Sequence, residues 1–178
     1  MNSPEPTTLT APAAIVSPAE YAQIQAFLYR EGRLLDDKQW DEWLTLYTED
    51  AEFWMPAWDD SDELTTDPQR EISLIYYPTR AGIEDRVFRI KTDRSSASMP
   101  EPRTIHQLTN LEILEATPTG YAVRFNWHTL SYRYKVLDSY FGCSFYELRK
   151  TSEGLLIARK KVILKNDYIR QVIDVYHL

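Results

Sequence analysis

The chain opens with apolar positions at helical spacing and closes with long alternating runs. Ser17 can cap a first helix, Pro18 suits its first position, and Glu20 completes a capping box. Val16 and Tyr21 are placed to form a hydrophobic staple around that cap. Tyr21, Ile24, Phe27, Leu28, Leu34 and Leu35 continue the stripe, interrupted by Glu31, and the helix is expected to end near Leu35. Asp37 is positioned to cap a second, short helix, with Trp40, Trp43, Leu44 and Tyr47 at i, i+3, i+4 and i+7. Ala51, Phe53 and Met55 then alternate with Glu52 and Trp54, which predicts a strand ended by Pro56.

Residues 57–70 read as an acidic loop and EISLIYY (71–77) as a strand. Ile83, Val87 and Ile90 mark a third helix from Ala81 to Thr92, weakened by Gly82. SSASMPEP (95–102) is a loop by its Ser and Pro content. From Arg103 the period changes to two. Strands are expected at 104–116, 121–136, 137–150 and 155–169, with turns at Pro118-Thr119-Gly120 and Ser152-Glu153-Gly154. On the second of these, Tyr121, Val123, Phe125 and Trp127 share one face, and Arg124, Asn126 and His128 the other. The pattern predicts an α+β domain over 17–178: helices first, then a long curved, mainly antiparallel meander that they cover. Residues 1–16, rich in Pro, Thr and Ala, read as a disordered arm.

Charge changes this picture little but excludes one class of partner. The net charge is −7, whereas nucleic acid requires clustered Lys and Arg. Acid is concentrated between Asp36 and Arg70, where twelve acidic and two basic residues give a local balance of −10. Such a stretch is either a solvated face or the complement of a basic partner surface. The 43% hydrophobic content is that of a globular protein, and the 13% aromatic share suits both pleated sheet and contact surfaces. With one cysteine, no signal-peptide pattern and no membrane-length apolar run, a cytoplasmic location is expected.

Candidate chemistry is mostly excluded. One Cys and three separated His (106, 128, 177) cannot build a zinc or iron–sulfur site at short spacing. A two-His-one-carboxylate iron site is arithmetically open, but the His spacings of 22 and 49 residues carry no signature. Five glycines form no phosphate-binding loop, and Cys143, between Phe141 and Phe145 on its own face, reads as a small core residue. Acid–base work stays open. His106 and His128 fall on adjacent strands, and Asp50, Tyr132 or Tyr140 could share an interior with them.

Several stretches together carry a resemblance. YTEDAEFWMPAW, DPQREISLIYYPTRAGIEDRVFRIKTDRSSA, PRTIHQLTNLEIL, VRFNWHTLSYRYKVLDSYFG and LKNDYIRQVIDVYHL resemble the small (beta) subunit of aromatic-ring-hydroxylating dioxygenases, in the benzoate and toluate 1,2-dioxygenase branch. The similarity runs from about Tyr21 to Leu178. It implies the cystatin-like, nuclear-transport-factor-2-like cone, a superfamily that also contains isomerases and dehydratases. It implies no catalytic, cofactor-binding or metal-ligating residue in this chain. A Rieske [2Fe-2S] cluster and mononuclear Fe(II) belong to the large (alpha) subunit, and an NADH-dependent reductase serves the complex. The implied partners are the large subunit and further copies of this chain, three of each.

The expected function is therefore a non-catalytic structural subunit of an oxygenase acting on benzoate or a substituted benzoate. The alternatives are a free-standing isomerase or dehydratase using a His/Asp pair, and a small-molecule binding module. Trp54, Trp58, Arg103 and His106 are the candidate subunit-interface residues. Trp54 is expected to face away from Phe53 and Met55, and Trp58 to follow it in the acidic loop.

Overall fold

A computed structural model describes residues 14–92 and 100–178. Helix α1 (Pro18–Asp36) begins as its sequence dictates. Ser17 Oγ accepts the Glu20 amide at 3.2 Å, and the Glu20 carboxylate accepts the Ser17 amide at 3.0 Å. Ile24, Leu28, Leu34 and Leu35 are buried, each worth about 1.5–3 kcal/mol of transfer free energy. Glu31 is buried among them. Asp37 does not cap the next helix, a correction to the sequence reading. It terminates α1, its amide bonding back to Arg33 O, and Lys38 at φ 56° turns the chain. Helix α2 (Trp40–Leu44) therefore starts from Gln39 without a side-chain cap.

Six strands follow: β1 (Tyr47–Pro56), β2 (Ser73–Tyr77), then helix α3 (Arg80–Lys91), β3 (Arg103–Thr117), β4 (Gly120–Arg133), β5 (Val136–Thr151) and β6 (Gly154–Leu164). They form one sheet in the order β2-β1-β6-β5-β4-β3. All neighbours are antiparallel except β1 and β6, which are parallel. The sheet is thus mainly antiparallel, with one parallel seam that closes the first half of the chain onto the last long strand. A 3₁₀ turn (Val175–His177) ends the chain inside the fold, with residues 173–178 buried.

Three sequence boundaries move. Tyr47, at i+7 of the expected second helix, instead opens β1. The expected strand 121–136 breaks at Tyr134 and Lys135, both at positive φ, which form a two-residue hairpin turn between Arg133 and Val136. The expected last strand stops at Leu164 rather than running to 169. Residues 1–13 of the expected arm and 95–99 of the expected loop lie outside the described residues. Residues 14–16 lie against β3, where the Ala14 amide donates to Ile113 O at 2.7 Å and Val16 packs on the core.

The helices cover one sheet face, and the core lies between. Phe53, Met55, Val123, Phe125, Trp127, Tyr140, Tyr146, Leu148, Ile157 and Val162 meet Ile24, Leu28, Trp43 and Ile83 there. Two glycines permit close approach. A Cβ on Gly142 would meet Ile163 O at 1.8 Å and Trp127 Cζ2 at 3.2 Å. One on Gly32 would meet His106 Cβ at 3.1 Å, so α1 sits tightly on β3.

Candidate functional site

A cone of this kind offers two places for function, its interior and its outer surface. The interior is filled. Lys160, fully buried on β6, stands in a cross-strand row between Phe53 and Tyr146. Its ammonium donates to Glu31 Oε1 at 2.7 Å and to Leu178 O at 3.3 Å. The rings of Phe53 and Tyr146 lie 5.0 and 5.3 Å from it. Tyr146 and Tyr47 donate their hydroxyls to Glu31 at 2.8 and 3.1 Å. Burial pushes the Lys160 pKa down, and the Glu31 charge opposes that shift. Burial and the same carboxylate push both tyrosines well up, so they remain donors. Lys160, Glu31, Tyr47 and Tyr146 thus satisfy one another.

The last residues pack into the same interior. Arg86 on α3 holds Asp174 by two parallel contacts, Nε–Oδ1 at 2.8 Å and a shorter Nη2–Oδ2. Asp174 accepts the Val175 amide, and His177 Nδ1 accepts the Asp174 amide at 3.1 Å. The His177 ring packs 4.7 Å from Tyr140 and 4.5 Å from Tyr176. Burial lowers its pKa to about 4.

The acid–base arrangement left open for His106 and His128 does not form. Strand register places His106 opposite Thr129 on the covered face and His128 opposite Gln107 on the outer face. His106 Nδ1 lies 2.6 Å from Asp36 Oδ1, while the His106 amide donates to Asp36 Oδ2 at 3.0 Å. His128 Nε2 instead meets Ser139 Oγ at 2.7 Å. Asp50 is at the surface, its carboxyl held down to about 2 by Arg149, and Tyr132 is exposed. Of the imagined interior set only Tyr140 joins His106 inside.

Metal-ligating residues are scattered in the same way. Cys143 lies opposite Asn126 on the outer face of β5, while His106 and His177 lie inside and His128 outside. Among the described residues no three His, Cys, Asp or Glu side chains converge. The donor set does not fit a Rieske cluster, which needs thiolate and imidazole together, nor a facial iron triad. Among the described residues no helix is long and apolar enough to cross a membrane.

The outer surface is where large apolar side chains remain exposed. Trp58 is 43% exposed, and its indole N–H is pinned to Leu164 O at 2.6 Å. The loop carrying it is built rather than loose. Asp59 accepts the amides of Ser61 and Glu63, and Glu71 accepts those of Thr66 and Asp67. Part of the acidic run is therefore structural, and those backbone bonds lower the Glu71 pKa.

Trp54 does face away from Phe53 and Met55, but it is only 8% exposed. Ser73 Oγ accepts its N–H at 2.9 Å and the Lys161 ammonium sits 4.4 Å from its ring. Arg103 is exposed at the start of β3, opposite Tyr132. The structure thus leaves Trp58 and Arg103 exposed, places His106 under the helices and covers Trp54 on the outer face of β1. Near Arg103 the β4–β5 turn also exposes Tyr132, Tyr134, Leu137 and Phe141, a patch the alternation pattern did not single out. The buried Lys160–Glu31 pair was missed as well, although Glu31 interrupting an apolar helical stripe was its signal.

These features have known counterparts. The family model described as ring hydroxylating beta subunit matches residues 30–171. The 2-halobenzoate 1,2-dioxygenase small subunit of Burkholderia cepacia is 59% identical over 160 residues, 90% of this chain and 97% of that one. A crystal structure of the beta subunit of the benzoate 1,2-dioxygenase from Burkholderia mallei superposes with a TM-score of 0.76 at 54% identity, covering 93% of this chain and 99% of that one. An NTF2-like protein with a cystatin-like fold from Novosphingobium aromaticivorans shares the fold alone, with a TM-score of 0.59 at 14% identity over 86% of each chain. A cone whose interior its own side chains fill, an outer surface that keeps its aromatics, and a family match over most of the length lead to one assignment: the chain belongs to the ring hydroxylating beta subunit family.

Proposed function

We propose that this chain is the non-catalytic small subunit of a terminal oxygenase that dihydroxylates benzoate or a ring-substituted benzoate. The substrate class comes from its relatives: the 2-halobenzoate enzyme of Burkholderia cepacia and the benzoate enzyme of Burkholderia mallei. The subunit braces large subunits in an assembly of three large and three small chains. The large subunits hold the Rieske cluster and the mononuclear iron, and a reductase delivers electrons from NADH. No step of the reaction runs through residues of this chain.

One observation carries the reading. The space an isomerase or dehydratase of this fold would use is taken by the Lys160–Glu31 cluster and the C-terminal turn. What the chain has left to offer is surface, and Trp58 and Arg103 are the contacts assigned to a neighbouring subunit. Trp and Arg anchors commonly dominate such interfaces.

Native mass spectrometry of the chain alone, then with its large subunit, tests this. A particle with three copies of each, and benzoate dihydroxylation only by the mixture once reductase, NADH and O2 are added, is the expected result. A chain that ignores the large subunit, or dihydroxylation unaffected by its removal, overturns the reading.

A further inference from the structure

One end of the sheet is divided in two by charge. The β4–β5 turn and the segment that follows β6 make one half. They are bound together: the Lys165 amide donates to Phe141 O at 2.9 Å, Asn166 Nδ2 donates to Ser139 O at 2.8 Å, and Arg170 pairs with Asp138. Six of the fourteen large apolar side chains exposed among the described residues stand here: Tyr132, Tyr134, Leu137, Phe141, Tyr168 and Val172. Residues 132–141 and 165–172 carry four cations, Arg133, Lys135, Lys165 and Arg170, against Asp138 and Asp167. An exposed apolar patch rimmed by charge marks a contact site.

The loop after β1 makes the other half. Because β1 runs parallel to β6, both strands deliver their continuations to the same end, where the Trp58 indole N–H reaches Leu164 O. Residues 59–67 hold five acids and no base. Asp59 serves the amides of Ser61 and Glu63. Asp60, Asp62 and Glu63 are exposed, and among the described residues their carboxylates meet no cation. Lys135 and Lys165 are exposed in the same way, and among the described residues neither meets a carboxylate.

We propose that the two halves form one contact between copies of this chain, in which the acidic loop of one copy seats on the basic, aromatic half of the next. Charge complementarity selects a second copy as the occupant, because each half finds its opposite on the same sequence. The aromatic side chains supply the buried anchors, and the charges fix the register. A contact between two different surfaces runs head to tail and closes into a ring where the rotation allows it. The number of copies, three, rests on the structural-subunit reading.

Sedimentation velocity of the full chain, without the large subunit, reads the contact. The expected species is a trimer that dissociates as salt rises. Lys135→Glu with Lys165→Glu should weaken association by roughly 100-fold, and so should Asp60→Lys with Glu63→Lys. All four together put opposite signs back across the contact, and the trimer should return. A monomer at every concentration overturns the proposal, as does a trimer indifferent to salt and to either pair of reversals, or a fourfold variant that stays apart. The salt dependence of the unaltered chain decides the matter should a variant fail to fold. A chain that is monomeric alone yet joins the large subunit loses this contact and keeps the structural reading. One that forms the trimer but ignores the large subunit does the reverse.

Discussion

Lys160 and Glu31 lie 129 positions apart in sequence, and their charges meet 2.7 Å apart with side chains 0% and 5% exposed. The pair ties the last long strand to the first helix through the centre of the core. A buried ion pair adds little net stability against an apolar pair of equal volume, but breaking it leaves an uncompensated charge. Lys160→Met is therefore expected to cost about 3–5 kcal/mol in urea unfolding. Adding Glu31→Gln, whose amide oxygen accepts from one of Tyr47 and Tyr146 and whose N–H can donate to the other's oxygen, should recover much of that loss. A single-variant cost below ~1 kcal/mol would show that Glu31 does not carry an isolated charge when Lys160 is gone.

Acid should weaken the fold through His177. Its folded pKa is lowered to about 4 by burial, against 6.5 for the free side chain. Above pH 6.5 both states are neutral there and the group is silent. As pH falls from 6.5 toward 4 the unfolded chain takes up the proton first, so stability drops, by up to roughly 3 kcal/mol from this group. His177→Gln should flatten the melting-temperature profile over that window. An unchanged slope would assign the acid sensitivity elsewhere.

The C-terminal turn depends on Arg86 and Asp174. Asp174→Asn keeps the size and removes the charge that the Arg86 guanidinium holds, with an expected loss of about 1.5–3 kcal/mol. The loss should be local first. Hydrogen exchange at Val175, Tyr176 and His177 should accelerate before that of β5 does. Uniform acceleration would mean that the turn is no separate unit.

At the proposed interface, Trp58→Ala should weaken assembly with the large subunit by about 2 kcal/mol, roughly 30-fold in affinity. Arg103→Ala tests the β3 end in the same titration. The variant chains' own melting temperatures serve as controls, since Trp58 also donates to Leu164 O. Full affinity with either variant would strike that residue from the interface.

Much of the fold was legible in the chain. The Ser17–Glu20 box, the α1 stripe and the alternation on β4 are local codes, and each sits where its period puts it. Local codes failed where no local residue announces the outcome. Tyr134 and Lys135 turn the β4–β5 hairpin with neither Gly nor Asn, and Asp37, though a good cap by type, serves the helix behind it.

The sequence by itself determined the class of fold and the family, because periodicity and motif are properties of neighbours along the chain. The tertiary structure alone decided which polar groups meet. One position of register separates His106 inside from His128 outside. The parallel seam of β1 with β6 and the packing of α1 carry Glu31 to Lys160. Packing against Ser73 and Lys161 covers Trp54 and leaves Trp58 at the surface. Such contacts are fixed by the mutual exclusion of side chains in one closed volume, a condition that no short stretch of sequence expresses.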